Sequence, residues 1–445
     1  MAAVCLPEER VIIRLFLMML SMTPMQLSRS DAVERVWSLV PCAALVAFPA
    51  IMLSLPTLAN GCFSVLLLWS IATVIRDGRP GLECWAGMLR AHWPITLAML
   101  GLPLAVALRQ VTVLGAWPEV PYLYTRFALF VLLARGFVRM PPGLLRGVQW
   151  GFVAGAIVSA IWIHSAGAAG RPFHVGFSNV IPFGNLSLLM GMLALASIGW
   201  TPPGAWLQAA LKVLAGAAGL YVSYMSQTRG SWIAIPVFAV IMLAAARKPG
   251  RSGKAGIFAA SLAGLALVAY LSPMVNRRIV EAVNGVALFF EQNSPDSSEG
   301  VRLQLWQAAL DMFRANPWSG VGSEGFAGAL QALATQHVVT PTAAALTHAH
   351  NDILNALATL GAPGLLAILA LYLVPFWYFL AQLHVNDRET RVAATLGVTT
   401  SAGFFTFGMT ETMFINTPTN AFYSLVVSVC FALVVLRRQA LAARR

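Results

Sequence analysis

The stretch His348-Ala349-His350-Asn351-Asp352 gathers two imidazoles, an amide and a carboxylate where a polar region ends and a long apolar segment begins. The other five histidines are scattered singly. Ionisable groups at a membrane border are costly to keep and tend to serve function. Two arginines hold comparable positions: Arg229 precedes the apolar run that begins near Ser231, and Arg302 opens the segment RLQLWQAALDMF. Cations are disfavoured at helix N-termini, so both placements make better sense if an anion binds there. Helix-terminal amides with a planar guanidinium suit phosphate oxygens. Gly230 would let a bulky ligand approach the backbone. A neutral imidazole at His350 could take a proton from a hydroxyl, the work of a general base. The trio Arg229, Arg302 and His350 thus suits transfer from a phosphate-activated donor to a hydroxyl. The bland readings are a snorkelling anchor for each arginine and a helix cap for the histidine. Arg277, Arg278 and Arg314 are read as anchors.

The elements that must position these residues follow from composition. The chain has 445 residues, 58% hydrophobic and 10% charged, with mean hydropathy +0.73. A soluble domain carries about 25% charged residues, so the expected fold is an all-α, polytopic transmembrane helical bundle. Apolar runs long enough to span fall near 36–55, 57–75, 93–108, 119–136, 148–165, 180–199, 205–225, 231–246, 255–273, 352–380, 392–413 and 419–436, about 12 spans. Residues 11–20 are short and broken by Arg14, and read as interfacial. No cleavable signal peptide is expected.

Cytoplasmic termini place twenty Lys and Arg inside and seven outside, as the positive-inside rule requires. The net charge of +12 is then a topology signal, not a nucleic-acid footprint. The organisation reads as a cytoplasmic or interfacial segment 1–35, spans over 36–273, a large periplasmic loop 274–351, further spans over 352–436, and a basic cytoplasmic tail 437–445. Within the loop, apolar spacing predicts one amphipathic helix over 276–291 (Ile279, Val283, Val286, Phe290). A second over 302–313 has Leu303, Trp306, Leu310 and Phe313 on its apolar face. Both are expected to lie on the membrane surface. The five cysteines are dispersed and indicate neither a disulfide framework nor a metal cluster. No Asp-x-Asp pair occurs in the outer segments, so no metal and no cofactor is expected. Glu299 and Glu324 read as isolated, Glu411 as a salt-bridge partner for a site arginine, and Lys212 as a snorkelling residue.

Three segments, SQTRGSW (226–232), RLQLWQAALDMFRANPWSGVGSEGF (302–326) and HAHNDILNALATLGAPGLL (348–366), with NVIPFGN (179–185), resemble the O-antigen ligase and polymerase superfamily of bacterial inner-membrane glycosyltransferases. The resemblance covers roughly 170–375. It implies a metal-independent, inverting enzyme that takes a sugar polymer from undecaprenyl diphosphate at the periplasmic face of the Gram-negative inner membrane. It matches His350 to the family's functional histidine, and Arg229 and Arg302 to its functional arginines. His348, Asn351 and Arg171 are accessory candidates. The implied partners are undecaprenyl diphosphate-linked O-antigen, lipid A–core oligosaccharide and membrane lipids. Within the superfamily a ligase is favoured: protein O-oligosaccharyltransferases usually carry a longer periplasmic C-terminal region, whereas a short basic tail follows the last span here. A polymerase is the alternative: Arg314 and Gly325 reproduce the Arg-x10-Gly spacing of polymerases once, but Arg171 does not repeat it, position 182 being Pro182. A transporter of lipid or solute is the rival from another class, disfavoured because polar mid-span groups are few.

Overall fold

The computed structural model describes residues 29–114, 122–166, 174–175, 178–246, 250–291 and 295–443. These form helices α1 (Arg29–Ile51), α2 (Pro56–Ala91), α3 (Trp93–Arg109), α4 (Tyr122–Ala128), α5 (Phe130–Arg139), α6 (Pro142–Leu145), α7 (Val148–Ala166), α8 (Val180–Ala196) and α9 (Trp206–Ser226). There follow α10 (Arg229–Ala245), α11 (Arg251–Leu271), α12 (Pro273–Phe290), α13 (Ser298–Ala315), α14 (Phe326–Thr335), α15 (Pro341–Ala344), α16 (Asp352–Leu380), α17 (Arg388–Gly408) and α18 (Thr417–Ala442). A two-residue antiparallel pair, His174–Val175 with Ser178–Asn179, precedes α8. The protein is a polytopic helical membrane protein. Among the described residues, eight helices are long and apolar enough to cross a bilayer, within α2, α3, α6–α7, α8, α9, α11, α16 and α18.

The remaining expected spans correspond to shorter or more polar helices, each for a physical reason. The described part of the 119–136 run, from Tyr122, is two helices meeting at Leu129, across which the hydrogen-bond ladder continues from Leu129 N–H to the Thr125 carbonyl. The 392–413 run ends as a helix at Gly408 and is rich in Thr, Ser and Gly. It tolerates that composition because protein surrounds it and its hydroxyls bond back to their own helix: Thr395 to the Arg391 carbonyl, Thr400 to Leu396, Ser401 to Gly397 and Thr406 to Ala402. Helix α18 lies at the centre, buried along nearly its whole length, whereas the spanning part of α11 buries none of its residues and presents apolar side chains outward.

Lys212 does not snorkel. It is fully buried, with Nζ donating to Gln149 Oε1 (2.6 Å), the Ser197 carbonyl (2.8 Å) and Thr201 Oγ1 (2.9 Å). A buried ammonium needs that many acceptors, and here it ties α9 to α7 and to the turn after α8.

The 274–351 region holds helices where the spacing predicts them, with different faces. On α12, Ile279, Val283, Val286 and Phe290 are all exposed, an apolar stripe of the kind that beds into a bilayer interface. Helix α13 instead buries Gln304, Leu305, Ala308, Ala309 and Met312, while Leu310 is exposed. The small residues Ala308 and Ala309 allow close approach to α16, and this contact outweighs the bulkier stripe. With Phe326, Leu330, Val339, Ala343, Ala344, Ala349 and Ala358 they make a second hydrophobic core.

Helix α16 breaks at Gly361, whose φ of +67° is open to glycine and strained for other residues. The backbone groups freed there are satisfied by the 317–322 loop: Val321 N–H to the Ala358 carbonyl (2.9 Å), Gly322 N–H to Thr359 (3.0 Å) and Ala362 N–H to Pro317 (2.8 Å). A Cβ on Gly361 would stand 2.6 Å from the Pro317 oxygen. Gly361→Ala is therefore expected to destabilise the protein by at least about 1–3 kcal/mol, read as a lower midpoint in thermal unfolding of detergent-solubilised protein. An unchanged midpoint would show that the break is not locked by the loop.

Candidate functional site

The N-termini of α10, α16 and α18 meet the C-terminus of α17 at one end of the bundle, linked by the 409–416 turn. This turn is fixed from below. Asp352, buried in the first turn of α16, accepts from Met413 N–H (3.1 Å), Phe414 N–H (3.2 Å) and the Tyr372 hydroxyl (2.7 Å). Asn351 caps α16 by accepting from the Ile353 and Leu354 amides, and its Nδ2 donates to the Met409 carbonyl (3.0 Å). Phe414 stacks on Phe404 (centroids 5.4 Å apart) and on Tyr372 (5.5 Å). The turn is thus pinned at both ends and sealed by aromatic rings.

What the turn presents is Glu411, buried apart from its contacts with the two histidines. His350 Nδ1 lies 2.8 Å from Glu411 Oε1, and His348 Nε2 lies 3.7 Å from the same oxygen. The imidazole rings are 4.3 Å apart between centroids. Burial alone would raise the Glu411 carboxyl. The hydrogen bond with His350 and the neighbouring His348 imidazole override that and hold it well below the usual carboxylate range. With Nδ1–H given to the carboxylate, the His350 ring is oriented and Nε2 keeps its lone pair, the second-partner logic of catalytic and metal-bound histidines alike. His350 sits at φ +47°, a sparsely populated backbone region that persists when neighbours over-determine it. The neighbours are identifiable: Ala349 N–H donates to Asn355 Oδ1 (3.2 Å), and the Ala349 carbonyl accepts from Trp306 Nε1 (3.1 Å).

The two arginines converge on one carboxylate. Glu299 forms an ion pair with Arg229 and stands 4.0 Å from Arg302, while Arg278 brings a third guanidinium within electrostatic reach. Glu299 is therefore not isolated. It occupies the first turn of α13, capped by Ser297, where the helix dipole favours an acid. Arg302, one turn further, is placed beside it by the i,i+3 spacing of a helix. The N-terminal anion that the sequence suggested for the arginines is, in this structure, supplied by the chain itself. Arg229 reaches the site because Gln227, at φ +53°, reverses the chain tightly between α9 and α10.

Gly230 serves packing more than ligand approach: a Cβ there would stand 2.4 Å from Thr410 Oγ1. Its absence lets α10 seat against the turn carrying Glu411. The contacts close a ring. Arg229 adjoins Gly230 on Thr410, Glu411 holds His350 and His348, Ala349 binds Trp306, and α13 carries Arg302 and Glu299 back to Arg229.

Of the candidates, His350, His348, Asn351, Arg229 and Arg302 share this end of the fold. Arg171 lies outside the described residues. Glu411 pairs with the histidines and not with an arginine, and Glu324 pairs with Arg109 (2.7 Å). Asp352, named in the sequence without a role, Trp306, read there only as part of an apolar face, and Tyr372 enter as supports of the site. Among the described residues, His348, His350 and Glu411 form a group able to hold a metal ion.

Fold and site together define a polytopic helical membrane protein with a histidine–carboxylate pair and an arginine cluster at one end of its bundle. Residues 214–369 match the family described as O-antigen ligase. It is 25% identical to an uncharacterised Haemophilus influenzae protein over 207 residues, 46% of this chain and 52% of that one. It is 27% identical to an O-antigen ligase of Escherichia coli over 171 residues, 38% of this chain and 40% of that one. The chain spans about half or less of these relatives' lengths.

Asp352→Ala orphans two buried amides and a phenol, each costing about 1–3 kcal/mol. Thermal unfolding should show it destabilised well beyond Tyr372→Phe, which removes one donor. Equal midpoints for Asp352→Ala and wild type would remove Asp352 as the anchor of the turn.

Proposed function

We propose that the protein is an O-antigen ligase, transferring polymer from undecaprenyl diphosphate to a sugar hydroxyl of lipid A–core oligosaccharide at the periplasmic face of a Gram-negative inner membrane. The observation that carries this reading is the closed ring of contacts joining a carboxylate-oriented histidine to a paired arginine cluster. His350 Nε2 takes the proton of the acceptor hydroxyl while Glu411 steadies the imidazolium that forms. The acceptor oxygen then attacks the anomeric carbon. The bond from that carbon to the diphosphate oxygen breaks, and undecaprenyl diphosphate leaves with the electron pair. A single displacement of this kind inverts the anomeric centre. Arg229 and Arg302 carry the charge developing on the leaving group, with the N-terminus of α10 adding partial positive charge. Two guanidiniums supply the charge neutralisation that a metal ion provides in other diphosphate chemistry, so the reaction runs without one.

Glu299 has a defined part in this scheme. It neutralises the arginines while the donor is absent, and the diphosphate displaces it. Glu299→Gln should therefore lower the KM for donor without raising kcat, in an assay with defined lipid-linked sugar. A raised KM would make Glu299 a donor-binding group instead of a competitor.

The principal test is lipopolysaccharide profiling of a deletion strain complemented with wild type or His350→Ala at matched expression. The alanine variant should lose at least about 10²-fold in activity, with polymer absent from lipid A–core and accumulating on undecaprenyl diphosphate. Core bearing a single repeat unit in the deletion strain would indicate a polymerase. A normal ladder with His350→Ala would remove the general base.

A further inference from the structure

We propose that His348, His350 and Glu411 form a chelating site for a transition-metal dication of the Zn²⁺ class, and that occupancy of this site switches the protein off. The proposal rests on the reading of His350 as the base only for its inhibitory consequence; the site itself stands on geometry.

The three donors are of the kind that binds zinc in three-ligand sites, two imidazoles and a carboxylate. His350 Nδ1 and His348 Nε2 lie 2.8 and 3.7 Å from Glu411 Oε1, and all three ligand atoms fall within 4.8 Å of one another. Zinc bonds of about 2.0–2.2 Å in tetrahedral array need donors about 3.3–3.6 Å apart. The present spacings bracket that range, so modest rotamer adjustment admits the ion. A second observation points the same way. Glu411 Oε2 is buried and has no hydrogen-bond partner, leaving an unsatisfied acceptor beside the histidines where buried acceptors are normally paired.

The site is preorganised. The rings of His348 and His350 lie 4.3 Å apart between centroids, and the intervening Ala349 is fixed by bonds at both its amide and its carbonyl. His348 Nδ1 lies 3.3 Å from Thr347 Oγ1. The tautomer that donates there leaves Nε2 free to ligate, as outer partners of metal-bound histidines do. Both rings are partly exposed, at 20% and 18%, so an ion reaches them from solvent. One coordination position remains for water.

The consequence for chemistry follows from proton position. A metal on His350 Nδ1 displaces the proton carried there, which the neutral ring then holds on Nε2. No proton is gained or lost overall, but the lone pair that would accept the acceptor hydroxyl's proton is gone. Glu411 is at the same time drawn from its orienting role.

The test uses full-length protein in detergent, stripped with chelator and titrated with Co²⁺ as a spectroscopic stand-in for zinc. Wild type should take up one equivalent with tetrahedral visible absorption that Zn²⁺ displaces. His348→Ala and Glu411→Gln, each checked by thermal unfolding, should bind at least about tenfold more weakly. Zn²⁺ should inhibit transfer by wild type and chelator should restore it, with chelator alone having no effect. Equal Co²⁺ binding by wild type and the folded His348→Ala variant would overturn the site. Stoichiometric binding without any zinc inhibition would overturn the switch. If His350→Ala were fully active while Co²⁺ binding by wild type held, the base assignment would fall and the site would survive.

Discussion

The carboxylate of Asp352 is the constraint on which the site depends. Three donors converge on it, two of them backbone amides of the turn that carries Glu411. Away from water an unpaired amide or carboxylate costs several kcal/mol, so these groups hold each other in place because neither has another partner. The rings of Phe404, Phe414, Tyr372 and Tyr423 pack around this junction and keep it dry. With the turn immobile, Glu411 becomes a fixed reference for His350 and His348, and orientation of the imidazoles follows without further machinery.

The arginine side is organised on a different principle. Its position is set by helix starts: Arg229 opens α10 after a left-handed reversal, and Arg302 follows the capped N-terminus of α13. Concentrating like charges at positive helix ends is unfavourable alone, and Glu299 offsets it. The balance between an internal carboxylate and an external diphosphate suits the proposed transfer, in which a diphosphate must be bound and then let go. In that proposal, rigid histidines and a displaceable anion divide the two demands of transfer, alignment and turnover.

Glu411 links the proposed base to the proposed metal site. A carboxylate that orients a histidine through Nδ1 is also a carboxylate poised beside a metal ligand, and a neighbouring second histidine completes the donor set. The chemistry that serves proton transfer is therefore vulnerable to soft dications for the same reason that it works: lone pairs held close together with little freedom to turn away.

The sequence by itself determined the helical membrane class and marked Arg229, Arg302 and His350 as unusual for their positions. Those signals are local: apolar run length, charge beside a helix start, two histidines at a border. It did not determine what they touch. Glu411 lies 61 residues from His350, and nothing in either neighbourhood specifies the pairing. The face of α13 that packs was displaced from the bulky stripe because fit against α16 depends on the volumes of both helices. Helix α17 is polar yet buried, since burial by protein and not by lipid decides what composition a helix tolerates. Local backbone and hydropathy are properties of nearby residues and are written along the chain. Which side chains meet was decided by packing and by the requirement that every buried polar group find a partner, and those are properties of the whole folded bundle.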